Sequence, residues 1–237
     1  MFQSNKEYIN FLIQSGVNTF LQETPNNLIQ LKKNLDESSE NNAIKKLEEI
    51  NEITELIPLI TSHHSSLKLN AKNLVLYNGN LKSKLMIIGE APGKEEDEQG
   101  IPFVGKAGQL LNKMLSAIKL NRENVYVTNV IPWRPPQNRT PTDEEILNFL
   151  PFIQKQIEII NPEFIYLLGT TAAKAILSTP LSLGKLRGKW HEYKTVTIDK
   201  SINVLVSYHP AFLLRSPKYK KEAWIDLQIL EKKLNEN

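Results

Sequence analysis

Apolar and polar positions alternate along residues 84–237 in a pattern that predicts strands followed by helices. Short apolar runs bounded by turn residues are typical of buried parallel strands. They cover residues 85–88, 125–130, 164–168 and 204–207. Segments with apolar residues three and four positions apart predict amphipathic helices. They cover residues 106–115, 143–160, 171–177 and 220–234. This alternation favours an α/β fold, a three-layer α/β/α sandwich around a central, mostly parallel four-stranded sheet.

The sequence also predicts the cap of one of these helices and the buried face of another. Thr142 and Glu145 are spaced as a capping box at the start of the helix that runs to residue 160. The last helix is expected to bury four apolar residues: Trp224, Leu227, Leu230 and Leu234. Between the third and fourth strands, residues 181–198 combine a basic loop with a hairpin or edge strand.

The N-terminal part of the chain has a different pattern. Residues 1–35 place apolar side chains at helical spacing, and residues 36–55 are polar and charged. We therefore expect a helical N-terminal extension and linker over residues 1–60 and an α/β domain over residues 61–237.

Composition limits the classes of protein that the chain can represent. A formal net charge of +3 permits a nucleic-acid partner without requiring one. No apolar run approaches the length of a transmembrane helix, and the start MFQSNKEYIN does not resemble a secretory signal. Cysteine is absent, which excludes disulfides, thiol nucleophiles and cysteine-ligated metals. We expect a cytoplasmic monomer with no membrane partner.

Polar residues follow three of the predicted strands, where a parallel sheet builds its ligand site. Glu90 and Asp97 come after the first strand, Asn129 ends the second, and His209 follows the last. A lone histidine before a proline is more often structural than catalytic. With an amide and a carboxylate at neighbouring strand ends, it becomes a candidate for a shared pocket.

Several segments together resemble the family 4 uracil-DNA glycosylases. The first signature is GEAPGKEED at residues 89–97, followed by GIPFVGKAGQLL at residues 100–111. TNVIPWRPPQNR at residues 128–139 and SYHPAFLLR at residues 207–215 are similar to two further family motifs. LLGTTAAKAIL and LRGKW also resemble family segments. The resemblance covers residues 62–235 and implies the uracil-DNA glycosylase fold.

The resemblance implies an enzyme that flips uracil out of DNA and hydrolyses its N-glycosidic bond, which starts base excision repair. His209 would donate a hydrogen bond to charge developing on the uracil ring. Asp97 would orient the water, with Glu96 as the competing candidate. The amide of Asn129 matches uracil O4 and N3–H, and Phe103 can stack on the extruded base. Glu90 and Ala91 complete the implied uracil-binding set.

The expected DNA contacts lie in the same motifs. The resemblance implies that Leu213, Leu214 and Arg215 form the loop that enters the duplex, because an apolar wedge fills the space left by a flipped base. The turn Pro92-Gly93 would let the backbone approach the DNA strand. The remaining expected contacts are Lys106, Arg139 and Arg187.

One feature departs from the family. The resemblance implies an iron–sulfur cluster held by four cysteines, but their positions here are occupied by Ser62, Ser65, Trp133 and Phe149. Since the cluster needs thiolates, we predict that no cluster binds and no other metal replaces it. The two aromatic side chains could fill the vacated volume.

The sequence leaves two other functions as alternatives to the enzyme. The missing cysteines and the added N-terminus leave open a catalytically inactive, DNA-binding accessory protein of the same fold. A nucleotide-binding enzyme of another reaction type is disfavoured because neither GxGxxG nor GxxxxGK[ST] is present. The sequence does not decide between single- and double-stranded DNA as the substrate.

Overall fold

The computed structural model describes residue 47 and residues 49–194 and 201–236. The chain divides into two compact units, residues 1–63 and 64–237. Helix α1, Ile53–Ser62, belongs to the first unit and has three buried apolar residues: Ile53, Leu56 and Ile60. The amphipathic region predicted over residues 1–35 lies outside the described residues. The predicted division into an extension and a domain at residue 60 stays a prediction.

The second unit contains six strands and seven further α-helices among its described residues. The strands are β1 Tyr77–Gly79, β2 Leu85–Gly89, β3 Val125–Asn129, β4 Phe164–Leu168, β5 Trp190–Tyr193 and β6 Ile202–Ser207. The helices are α2 Lys94–Gln99, α3 Lys106–Ala117, α4 Asp143–Ile160, α5 Thr170–Leu177, α6 Leu183–Leu186, α7 Pro210–Arg215 and α8 Lys220–Asn235. None of the helices in the described part of the chain is long and apolar enough to cross a membrane.

The strands form one sheet in the order β1-β3-β2-β4-β6-β5. The four inner strands pair in parallel, as the sequence predicts. The prediction of a four-stranded sheet is wrong in its count, because β1 and β5 add antiparallel edges. β1 has only three residues and no apolar run to reveal it. Within residues 181–198, where a hairpin or edge strand is expected, the structure has the edge strand β5; residues 195–200, which include Val196 and Ile198, lie outside the described residues.

Helices cover both faces of the sheet, which confirms the three-layer sandwich. On one face, Ile87, Val127 and Tyr166 pack with Leu111 of α3 and Leu227 of α8 in a single hydrophobic core. On the other face, the hydroxyls of Tyr126 and Thr128 donate to Gln156 Oε1 of α4, at 2.9 and 3.1 Å. Because neighbouring residues of a strand point to opposite faces, strands covered on both sides are apolar throughout.

Helix α8 buries Leu227 and Leu230 as predicted, but its buried face is rotated toward Ala223 and Asp226. Its buried residues are Ala223, Asp226, Leu227 and Leu230, which follow helical spacing. Trp224 lies one position outside this face and is 40% exposed, so the prediction that it is buried is wrong. The sequence does not indicate this rotation, because the buried face contains a carboxylate, Asp226. That carboxylate accepts hydrogen bonds from Ser207 Oγ at 2.6 Å and Arg187 Nη2 at 2.7 Å.

Candidate active site

The register of the parallel strands brings the predicted site residues to one edge of the sheet. Gly89 lies beside Asn129, and Leu168 lies beside Ser207. The chain segments that follow these positions, including Glu90 and His209, therefore leave the sheet side by side. This is the carboxyl edge at which open α/β sheets bind ligands.

Phe103 lies at this edge, close to two of the predicted residues. Its ring centroid lies 5.6 Å from that of His209. A Cβ added at Gly89 would stand 2.4 Å from both the Phe103 ring and Asn129 Oδ1. Since Gly89 lies against both side chains, Phe103, Asn129 and His209 line one small region. Only glycine leaves room for this contact at the end of β2.

His209 is fixed as a neutral hydrogen-bond donor. It is the N-cap of α7, and its Nδ1 accepts the N–H of Ala211 at 3.2 Å. Because Nδ1 accepts, we assign the ring proton to Nε2. Burial, together with a smaller effect of the positive charge of Arg215, lowers the pKa of His209 to about 4. At neutral pH the ring can therefore donate a proton in a hydrogen bond without carrying a charge.

This pKa predicts how stability depends on pH. The folded protein keeps His209 neutral down to about pH 4, whereas the unfolded chain takes up the proton near the ordinary value of 6.5. As the pH falls through this window, proton uptake favours the unfolded chain and the free energy of unfolding drops by roughly 3 kcal/mol. Above pH 6.5 the residue is neutral in both states and contributes no pH dependence.

His209→Gln should remove this contribution. Urea unfolding at pH 7 and at pH 4.5 should show a smaller loss of stability in His209→Gln than in the wild type. The other titrating groups are common to both proteins. Parallel curves over this pH range would contradict the lowered pKa.

Asn129 carries an unsatisfied polar atom in the same region. The residue is 3% exposed, and its Oδ1 has no hydrogen-bond partner among the described residues. Leaving a buried acceptor unpaired costs about 1–3 kcal/mol. Buried polar atoms without a hydrogen-bond partner are rare in folded proteins, so this one requires an explanation. A ligand that donates a hydrogen bond at this position would supply one.

Glu96 and Asp97 are both buried, but their carboxylates are engaged with the backbone. Glu96 Oε1 accepts the N–H of Val104 at 3.0 Å and of Gly105 at 2.9 Å. Asp97 Oδ1 accepts the N–H of Lys72 at 2.8 Å, and its Oδ2 lies 3.8 Å from Arg134 Nη1. The predicted choice between these two as the water-orienting residue stays a prediction.

The first signature supplies a third carboxylate at the sheet edge. Glu90 directly follows β2 and is partly exposed, and its Oε2 accepts from the hydroxyl of Thr171 at the start of α5. Its other oxygen has no hydrogen-bond partner among the described residues. Ala91 is partly exposed and Pro92 is buried. Gly93 begins α2 as its N-cap.

The expected DNA contacts separate into exposed and internal residues. Lys106, Leu214 and Arg215 are exposed. Arg139 is also exposed, but its guanidinium pairs with both oxygens of Glu145, at 2.6 and 2.8 Å. For these four residues a DNA-binding role stays a prediction.

Leu213 is buried and Arg187 is partly buried and ion-paired; their contact with DNA stays a prediction. Leu213 is 1% exposed and belongs to the hydrophobic core. The Arg187 guanidinium pairs with Asp226 and Glu222 and lies over the ring of Tyr208, 5.0 Å from its centroid. Arg187 thus ties α8 to the segment that leads into His209.

Arg122 is a site-adjacent residue that the sequence did not reveal. It lies in a 3-10 turn, Arg122–Asn124, directly before β3. Its guanidinium donates to the carbonyl oxygens of Pro102 and Phe103. No motif or periodicity relates positions 122 and 103, so the sequence alone offers no signal for this contact.

The positions that correspond to the cluster ligands do not fit an iron–sulfur cluster. Ser62 and Ser65 offer hydroxyls, and Trp133 and Phe149 offer aromatic rings, none of which can supply the required thiolates. Trp133 is 5% exposed, with an indole N–H that has no hydrogen-bond partner among the described residues. Phe149 is fully buried and packs against Phe152. Within the described residues, no three histidine, aspartate or glutamate side chains are grouped to hold a metal ion.

Trp133→Ala should lower the melting temperature by roughly ten degrees, because removing a buried tryptophan costs about 3–5 kcal/mol. Trp224→Ala is the matched control, since Trp224 is 40% exposed. Its shift should be less than half as large. Differential scanning calorimetry of both variants measures the difference. An unchanged melting temperature in Trp133→Ala would contradict a packing role for this residue.

Comparison with known proteins identifies the family to which this fold belongs. The family model of the uracil DNA glycosylase superfamily matches residues 76–228. A type-4 uracil-DNA glycosylase of Pyrobaculum aerophilum is 42% identical over 66% of this chain and 81% of the relative. A type-4 uracil-DNA glycosylase of Thermotoga maritima is 43% identical over 63% of this chain and 76% of the relative. A type-5 uracil-DNA glycosylase of Pyrobaculum aerophilum is 28% identical over 56% of this chain and 63% of the relative.

The chain therefore belongs to the uracil DNA glycosylase superfamily, and within it to the type-4 family. This confirms the resemblance that the sequence motifs predict, and it confirms the enzyme class, a hydrolytic DNA glycosylase. The chain is a variant of that family without cysteine.

Proposed function

We propose that this protein is a monofunctional uracil-DNA glycosylase that works without an iron–sulfur cluster. It extrudes uracil from single- or double-stranded DNA and hydrolyses the N-glycosidic bond, leaving an abasic site for base excision repair. It acts as a cytoplasmic monomer. The observation that carries the proposal is the buried Oδ1 of Asn129, which has no partner among the described residues and lies near the ring of Phe103, with the His209 ring centroid 5.6 Å from that of Phe103.

The three side chains match the demands of uracil recognition. The amide of Asn129 offers an acceptor for uracil N3–H and a donor for uracil O4. Phe103 provides a flat apolar surface for the extruded base. The amide of Asn129 therefore distinguishes the edge of uracil from that of cytosine, which has a donor at C4.

His209 acts on the transition state. As the glycosidic bond lengthens, negative charge moves onto the uracil ring while the sugar becomes an oxocarbenium-like cation. A neutral Nε2–H donor that is already aligned stabilises this charge without reorganisation. The lowered pKa suits that role, because a neutral imidazole does not transfer its proton readily and acts as a hydrogen-bond donor.

A carboxylate is needed to orient the attacking water and to favour the sugar cation. Asp97 and Glu96 are the candidates that the sequence motif suggests, and Glu90 is a third at the sheet edge. The backbone hydrogen bonds of Glu96 and Asp97 favour positioning roles for these two. The uncommitted oxygen of Glu90 favours it as the group that faces the water.

Base release from synthetic oligonucleotides tests the proposal. Matched single-stranded and duplex substrates should carry uracil, thymine or cytosine at one position, with alkali cleavage to reveal the abasic product. We expect release of uracil and no release of thymine or cytosine. DNA binding without uracil release would instead support the inactive accessory protein.

A further inference from the structure

The loop at residues 102–105, which carries Phe103, is held by a carboxylate on one side. Glu96 Oε1 accepts the N–H groups of Val104 and Gly105, while its Oε2 accepts the N–H of Gly93 at 3.1 Å. One side chain thereby ties the turn after β2 to the loop that follows α2. All of these donors are backbone groups, so the contact fixes the path of the chain.

A guanidinium holds the same loop by donating hydrogen bonds to backbone carbonyl groups. Arg122 Nη2 donates to the carbonyl of Phe103, and Nη1 donates to the carbonyl of Pro102 at 3.3 Å. Its Nε donates to Asn112 Oδ1 of α3 at 2.7 Å, which fixes the plane of the guanidinium. The rigid fork of arginine suits two successive carbonyls in a way that the single ammonium of lysine does not.

Phe103 needs this support because its backbone is in an unfavourable conformation. Its φ is +57°, in the left-handed region that side chains other than glycine seldom adopt. Such residues persist only where the surrounding structure over-determines them, and they cluster at functional sites. Helix α3 also approaches closely, since a Cβ added at Gly108 would stand 1.7 Å from the Phe103 carbonyl oxygen.

We propose that Arg122 is a positioning residue for uracil excision, which together with Glu96 clamps loop 102–105 and sets the ring of Phe103 against the extruded base. The proposal rests on the proposed function. The charges of the two clamping groups are complementary: burial lowers the pKa of Arg122, and the negative charge of Glu96 opposes that shift. As a positioning residue, Arg122 itself contacts neither the base nor the sugar.

Single-turnover excision, with enough protein to saturate a uracil-containing oligonucleotide, tests the clamp. Arg122→Met keeps the length of the side chain and removes its donors; we expect a rate at least tenfold below the wild type. Arg122→Lys should recover part of that loss, and it carries the test if Arg122→Met fails to fold. Lys113→Met, at an exposed position of α3, is the matched loss of a cation and should stay within twofold. Equal rates in Arg122→Met and the wild type would overturn the proposal.

A double-mutant cycle separates positioning from general stability. If Arg122 acts through Phe103, adding Arg122→Met to Phe103→Ala should slow excision by less than twofold further, at a temperature below the melting range of every variant. Losses that multiply would overturn the proposal. Absence of uracil release by the wild type would overturn the proposed function and the clamp with it, whereas wild-type release matched by Arg122→Met overturns the clamp alone.

Discussion

His209→Ala should slow uracil excision about a hundredfold or more at saturating DNA. Removing one preorganised donor to a developing oxyanion typically costs 10²–10³ in kcat, about 3–4 kcal/mol. The loss should fall on the chemical step, because the donor strengthens its contact only as charge moves onto the base. We therefore expect a lower kcat with KM changed by less than threefold. Single-turnover and steady-state excision measure these two quantities.

A second histidine provides the control for this experiment. His64 is exposed, and His64→Ala should excise uracil at the wild-type rate. Circular dichroism and the melting temperature should show that His209→Ala is folded before its rate is interpreted. A folded His209→Ala that keeps the wild-type kcat would remove His209 from the mechanism.

Asn129→Leu should abolish measurable discrimination between uracil and cytosine and should slow uracil excision by at least a hundredfold. The variant should nevertheless be as stable as the wild type or more stable. Leucine has as many side-chain heavy atoms as asparagine, so it fills the same space at the end of β3. It also removes the buried Oδ1 that has no partner in the described residues, and apolar replacement of such a group can be neutral or stabilising. Loss of activity combined with retained stability would identify Asn129 as a residue kept for ligand binding.

Tyr166→Phe is the matched control for the stability measurement. Tyr166 is fully buried in neighbouring β4, and its hydroxyl makes no well-aligned hydrogen bond in the described part of the chain. Tyr166→Phe should be similarly stable but excise uracil normally. Urea unfolding and single-turnover excision should be measured on both variants. Normal excision by Asn129→Leu would contradict the proposal that Asn129 forms hydrogen bonds with the edge of uracil.

The sequence predicts well those features that depend on local pattern and on the geometry of a parallel sheet. The hydroxyl of Thr142 accepts the N–H of Glu145 at 3.2 Å, as the capping box requires. Asn129 and His209 come together because Asn129 ends one inner strand and His209 follows another, and the carboxyl ends of parallel strands share one edge. Their separation in sequence is large, but the alternation of strands and helices is enough to place them.

The sequence predicts poorly those features that depend on where a side chain turns within the fold. Leu213 and Leu214 are neighbours with the same side chain, yet only Leu214 is exposed. Arg187, a predicted DNA contact, is paired with Asp226, a partner 39 residues away that no local pattern indicates. Glu96 and Asp97 are both held by backbone N–H groups of other segments, which no local pattern encodes.

The strain at Phe103 could not be predicted for the same reason. A phenylalanine between Pro102 and Val104 gives no indication of a positive φ. The conformation results from groups that reach the loop from three separate segments, namely Glu96, Gly108 and Arg122. The sequence identifies Phe103 as a stacking residue only by resemblance, and the structure adds the means by which it is held.

The central claim is that a type-4 chain without cluster ligands still excises uracil. The measurement that tests it most directly is uracil release by purified wild-type protein whose iron content has been determined by elemental analysis. We expect iron far below one atom per chain and uracil release that His209→Ala nearly abolishes. Iron-free, folded protein that binds uracil-containing DNA but releases no uracil would contradict the claim, and would mark the aromatic residues at positions 133 and 149 as part of a change to a non-catalytic DNA-binding protein.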